Sequence, residues 1–135
     1  MTLRMHVGCG SVFLAGWRNV DVCAPTIHLA SARPDLVALY GTTEAAYYAR
    51  QGDQTIDSLR EPLGVRETAC DAYGTWERLP CGLWEADEIL ARQSFEHLSA
   101  NEARAALDEC DRVLKPGGTL RLDVRVDVPD ELLAV

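Results

Sequence analysis

The chain contains no C-x-x-C pair, and its five cysteines (Cys9, Cys23, Cys70, Cys81 and Cys110) are an odd number spread along 135 residues. That pattern argues against both a zinc site and a disulfide framework, so reduced, buried thiols and no metal are expected. No apolar run approaches the roughly 18 residues that a helical membrane span requires. A signal peptide is not recognisable either: Arg4 and His6 interrupt the first apolar residues, and no small-residue cleavage site follows. A cytoplasmic location is the resulting expectation. Positive charge is scarce, with 13 Lys and Arg against 21 Asp and Glu and a net charge of −8. The basic residues form no patch, which disfavours nucleic acid and an anionic membrane surface as partners. A neutral or cationic ligand suits the field better. Internal repeats and low-complexity segments are absent. What remains is an ordinary apolar fraction in one domain, residues 1–135, long enough to bury a core.

Leu3, Met5 and Val7 alternate with Arg4 and His6 before Gly8-Cys9-Gly10, which predicts a short strand entering a glycine turn. Gly16-Trp17 marks a second turn, and Asn19 to Val22 a second short strand carrying an acid. Only one or two helical turns fit between Gly10 and Trp17. Residues 23–64 are the least regular part. Helical character is expected over Asp35 to Tyr40, over Thr43 to Gln51 with Thr43 as cap, and over Ile56 to Arg60. A third strand is predicted over Val65 to Cys70, with Asp71 at its end. Tyr73 to Leu83 reads as a loop, and Glu88 to Ala91 as a fourth strand.

The strongest helix signal is Ser99-Ala100-Asn101-Glu102, which has the form of a capping box. Ala103, Ala106, Leu107, Cys110, Val113 and Leu114 then share one face at helical spacing. Lys115 suits the negative end of the helix dipole. Pro116 ends the helix, and Gly117-Gly118 accept a tight turn. A last strand follows, with Leu120, Leu122, Val124, Val126 and Val128 alternating with Arg121, Asp123, Arg125 and Asp127. That alternation expects water or a polar partner on one face.

Alternating strands and helices imply a mostly parallel α/β sheet, whose ligands sit at the carboxyl ends of the strands. Gly8 and Gly10 fall there, where glycine lets a ligand approach the backbone closely. The dinucleotide fingerprint is incomplete: Phe13 stands where its third glycine belongs, and Asp21 lies eleven residues after Gly10 instead of roughly 20. A nicotinamide or flavin dinucleotide therefore fits poorly. Asp21 still has the chemistry to accept both hydroxyl protons of a ribose, and Asp71 to accept from an adenine amine. Trp17, Tyr47, Tyr48, Trp76 and Trp84 are more simply read as packing residues than as a pocket lining.

Taken in order, His6-Val7-Gly8-Cys9-Gly10, Leu14 to Asp21, Phe95 to Leu98 and Arg112 to Gly118 resemble class I S-adenosylmethionine-dependent methyltransferases of the compact type-11-like branch. The resemblance covers residues 3–125 apart from the middle. It implies a Rossmann-like three-layer sandwich of strand order 3-2-1-4-5, here without the usual C-terminal antiparallel hairpin. It also implies S-adenosylmethionine as cofactor. Gly8, Cys9 and Gly10 would line its methionine and ribose portion, Asp21 would hold the ribose, and Asp71 would lie by the adenine. Arg92, Gln93 and Ser94 would flank the methionine end and the acceptor, and His97 is the candidate base. Many relatives carry an acid where this chain has His6. Residues 23–64 read as an insertion or lid.

The function so implied is methyl transfer to a small-molecule or saccharide-type acceptor. The alternative is a non-catalytic cofactor-binding or interaction module of the same fold. The exposed last strand would be that module's docking edge, and a homodimer through it is the expectation that the missing hairpin raises.

Overall fold

The computed structural model describes residues 2–10, 12–22, 26–49, 67–92 and 94–124. In chain order these form β1 (Arg4–Val7), β2 (Phe13–Leu14), β3 (Arg18–Asp21), β4 (Thr26–Leu29), α1 (Pro34–Tyr40), β5 (Gly41–Thr42) and α2 (Glu44–Ala49). There follow β6 (Glu67–Cys70), β7 (Ala72–Tyr73), β8 (Ala86–Arg92), a 3-10 turn (Phe95–His97), α3 (Ala100–Val113) and β9 (Leu114–Asp123).

Five strands make the central sheet in the order β7-β3-β1-β8-β9. Every neighbouring pair is parallel, so the expected order 3-2-1-4-5 is the observed one. The identity of its third strand is corrected. Glu67–Cys70 pairs with Thr26–Leu29 in a separate two-stranded sheet, and Ala72–Tyr73 takes the place beside β3. The chain changes sheets at Asp71, whose amide donates to the Asn19 carbonyl (2.8 Å) and whose carboxylate accepts from the Asn19 amide (2.8 Å). Tyr73, expected in a loop, is therefore in a strand. The candidate helix over Ile56 to Arg60 lies outside the described residues, as do Cys23 and residues 125–135.

The sheet is covered on both sides, and strand alternation decides what goes where. Met5, Val7, Val20, Ile89 and Ala91 pack with Ala106, Cys110 and Val113 of α3. Leu90 turns to the other face and packs with Leu14, Trp17 and Tyr47. His6 shares that second face. It is fully buried, because elements packed on both faces cover β1. Its ring meets Tyr47 edge-on at 5.3 Å.

The predicted capping box is present: the Glu102 amide donates to Ser99 Oγ (3.2 Å) and the Ser99 amide to Glu102 Oε1 (3.1 Å). The buried stripe of α3 is Ala106, Glu109, Cys110 and Val113. Leu107, placed on that face by spacing, is 45% exposed; Glu109 is buried in its stead because it has partners across the interface. The Pro-Gly-Gly turn appears as an interruption inside β9. Ala86 pairs with Leu114 and Glu88 with Thr119, so Asp87 alone faces Lys115 to Gly118. Asp87 secures the slip: its carboxylate accepts from the Leu3 amide (2.7 Å) and from Lys115 Nζ (3.1 Å).

Among the described residues no helix is long and apolar enough to cross a membrane. None of their His, Cys, Asp and Glu side chains form a group of three that could hold a metal.

Candidate functional site

β1 pairs with β3 on one side and β8 on the other, which makes the boundary between β1 and β8 the place where strand order reverses. In open α/β sheets the ligand crevice lies beyond the carboxyl ends of the strands at this point. Here a cleft of about 460 Å³ lies there. Gly8 and Gly10 reach it from the end of β1, Asp21 and Val22 from the end of β3, Thr75, Trp76 and Glu77 from the loop after β7, and Ser94, His97 and Leu98 from beyond β8.

Each position has a local cause. Gly8 and Gly10 both take positive φ, 72° and 54°, a region that side chains disfavour. The turn is pulled back onto β3, because the amides of Gly8 (2.8 Å) and Cys9 (3.1 Å) both donate to the Val20 carbonyl. A Cβ on Gly8 would come within 2.6 Å of Ser94 Oγ and 2.8 Å of Ser94 Cβ. Ser94 Oγ is itself buried and has no hydrogen-bond partner among the described residues. Burying a hydroxyl without a partner is costly. Asp21 is the last residue of β3 and only 2% exposed, and its carbonyl accepts from the Gly74 amide (3.3 Å). Trp76 is wedged edge-on against Phe95, with ring centroids 5.7 Å apart.

Gly8, Gly10, Asp21, Ser94 and His97 are thus brought together as expected from the sequence. Cys9 contributes backbone to the turn, while its thiol is buried. Burial, with Asp21 adding to it, pushes that thiol well above the ordinary cysteine range; it stays neutral and is no nucleophile. Two of the candidates lie elsewhere. Asp71 does not line the cleft, and one of its oxygens takes both the amide and the side-chain Nδ2 of Asn19. Arg92 packs on the second face of the sheet, over the Tyr47 ring at 4.9 Å, with its guanidinium donating to the Tyr47 carbonyl and 3.9 Å from Asp123. Gln93 falls outside the described residues.

Sequence reasoning missed Val22, Thr75, Glu77, Leu98 and Glu102 as cleft residues, and favoured packing over lining for Trp76, which does both. A signal existed for the loop: Thr75 and Arg78 exchange backbone hydrogen bonds (3.1 Å each), and Thr75 Oγ1 accepts from the Arg78 amide (3.0 Å), a turn that a threonine three residues before its partner can build.

A parallel sheet with a glycine turn, a buried acid and an unsatisfied serine around a switch-point cleft defines a cofactor-binding α/β domain. The family described as "Methyltransferase domain" matches residues 5–122, and the chain belongs to it. No curated protein matches the sequence significantly. Among solved structures, the YcgJ protein from Bacillus subtilis is 19% identical, with a TM-score of 0.49 over 98% of this chain and 48% of that one. A protein of Methanococcus maripaludis provisionally described as an S-adenosyl-L-methionine-dependent methyltransferase is 15% identical (TM-score 0.43; 90% and 49%). One from Galdieria sulphuraria provisionally described as a sarcosine dimethylglycine methyltransferase is 19% identical (TM-score 0.41; 90% and 38%). The chain spans about half the length, or less, of these structures.

Family membership implies S-adenosylmethionine as the cofactor. The residues present fit it: the positive-φ glycine turn that lines the cleft, the buried Ser94 hydroxyl beside it and the Asp21 carboxylate supply the close approach and polar contacts such a molecule needs.

Proposed function

We propose that the chain binds S-adenosylmethionine in this cleft and transfers its methyl group to a small-molecule or saccharide-type acceptor. The observation that carries the reading is the Gly8 turn, whose positive φ and contact with Ser94 leave no room for any other residue. When bound, the cofactor supplies an electrophilic methyl on a good leaving group, so the protein's task is orientation. Gly8 and Gly10 admit the cofactor against the backbone. Asp21 accepts from the ribose hydroxyls, Val22 and Trp76 wall the base, and the Ser94 hydroxyl faces the amino-acid end. Asp21, Glu77 and Glu102 line the cleft with His97 as the one basic residue among the described lining. That field favours a cationic sulfonium and disfavours an anionic acceptor. His97, exposed at the end of the 3-10 turn and lining the cleft, supports the reading as the group that would take a proton from the acceptor.

The test is thermal unfolding with S-adenosylhomocysteine, with NAD as comparison. Ligand at about 100 times its dissociation constant stabilises the fold by about 2.7 kcal/mol, which is a rise of several degrees for a domain of this size. Asp21→Ala removes the rise. A well-folded sample that ignores S-adenosylhomocysteine, or responds equally to NAD, overturns the reading. Binding without turnover on any neutral acceptor would favour the non-catalytic module.

A further inference from the structure

The loop that brings Thr75, Trp76 and Glu77 to the cleft has open space on its other side too. A second cavity of about 690 Å³ is lined by residues 77–82 with Glu109 and Arg112, and Glu77 borders both cavities. Trp76 and Leu79 pin the segment into the core, and with space on two sides the course of the backbone between and after them is fixed by polar bonds.

Those bonds fall on three consecutive residues, and all come from distant parts of the chain. The Leu79 amide donates to Glu109 Oε2 (2.6 Å), the Pro80 carbonyl accepts from Arg18 Nη1 (3.0 Å), and the Cys81 carbonyl accepts from Arg112 Nη2 (3.0 Å). Glu109 is the hub. It is 7% exposed and forms a two-pronged pair with Arg112, Nε to Oε1 at 2.6 Å and Nη2 to Oε2 at 2.7 Å. Such forked, charge-assisted pairs fix direction as well as distance. The Arg112 guanidinium holds the Glu109 carboxyl below the usual carboxylate range, against the opposing effect of its burial.

We infer that Glu109 is a positioning residue for the cofactor cleft, latching the loop that carries Thr75, Trp76 and Glu77 onto α3. It does not line the cleft and acts through the Leu79 amide. The inference rests on the proposed cofactor site for its effect on binding, but not for its effect on the loop.

The experiment therefore has two arms. In the ligand-free protein, hydrogen exchange at the Leu79 amide and its neighbours quickens at least about tenfold in Glu109→Ala, and less in Glu109→Gln, which keeps an acceptor. In titration calorimetry, Glu109→Ala weakens S-adenosylhomocysteine about tenfold and Glu109→Gln by less than about threefold. Leu36→Ala, which hollows the separate cluster under α1, lowers the melting temperature and leaves affinity unchanged. Should Glu109→Ala fail to fold, Arg112→Ala, which frees the Cys81 carbonyl, carries both arms. Unchanged exchange at Leu79 overturns the latch itself. Faster exchange with unchanged affinity overturns its role in the cleft. Absence of binding by the unmodified protein counts against the proposed function, and the exchange arm still decides on the latch.

Discussion

Acidification should destabilise this domain through a single buried imidazole. His6 is fully buried, and burial lowers its pKa from 6.5 to about 4, with the Asn19 bond opposing the shift. That bond also fixes the tautomer. Asn19 Oδ1 already accepts from the Leu14 amide (2.9 Å), so His6 Nδ1, 2.9 Å away, is the donor. Nε2 is then a bare acceptor, buried without a partner among the described residues. A folded-state pKa below the unfolded one means that the unfolded chain binds the proton first. The stability from a neutral His6 is therefore complete above pH 6.5 and is lost as pH falls towards 4. At about 1.4 kcal/mol per pH unit the loss across this window is about 3 kcal/mol, a large part of a small domain's total. Carboxylates held low by their partners, such as Asp87 and Glu109, lose their contributions at lower pH and do so equally in a variant that spares them. The variant is His6→Asn, which keeps a donor near Asn19 Oδ1 and cannot titrate. Urea unfolding followed by tryptophan fluorescence at several values from pH 7.5 to 4.5 should show a steep decline in the unmodified chain. The decline should be shallower by about 2–3 kcal/mol in the variant, which begins from a lower stability because the ring contact with Tyr47 is gone. Identical pH dependence in the two proteins, or a His6 ring that titrates above pH 6 by NMR, would refute the reasoning.

Two further outcomes are expected. Gly8→Ala should cost about 1–3 kcal/mol and abolish S-adenosylhomocysteine binding, since φ is 72° and the new methyl meets Ser94; adding Ser94→Gly should recover the clash but not the backbone strain, and a Gly8→Ala chain as stable as its parent in urea would count against the cradle. β9 closes the sheet at one edge among the described residues, with Val124 beyond it 46% exposed, and such an edge is a template for a second copy. Sedimentation at micromolar concentration should show a dimer that Val124→Lys returns to monomer; a monomeric parent chain removes the idea.

Local signals were legible and long-range ones were not. Ser99 and Glu102 form their capping box within one turn of helix, and Thr43 caps α2 by accepting from the Ala46 amide (3.2 Å); both were readable because partner and acceptor are neighbours in sequence. Gly8, Gly10 and Asp21 were readable for a related reason: strand ends and glycine turns are local, and the parallel topology brings those ends together. Asp71 and Arg92 show where this fails. Each follows a strand or sits at its end, yet one Asp71 oxygen takes two bonds from Asn19, 52 positions away, and Arg92 stacks on an aromatic of α2, 45 positions away. The division between β6 and β7 was hidden for the same cause, because the bonds that split the run at Asp71 go to β3. The site loop over Thr75 to Glu77 has no periodicity of its own. Its place is set by Trp76 and Leu79 in the core together with Glu109 and Arg112, which on helical spacing alone would be surface residues.

The slip in β9 has a practical side. Asp87 faces four residues there, and no atom beyond the chain neighbours lies within 4 Å of where a side chain on Gly117 would begin. Length at this point is absorbed outside the ladder, on the end of the sheet away from the cleft. A dye, an affinity tag or a surface tether joined at Gly117, ahead of the packed Gly118, would sit clear of strand pairing and ligand access, giving a handle by which the domain can be immobilised with its cleft facing solution.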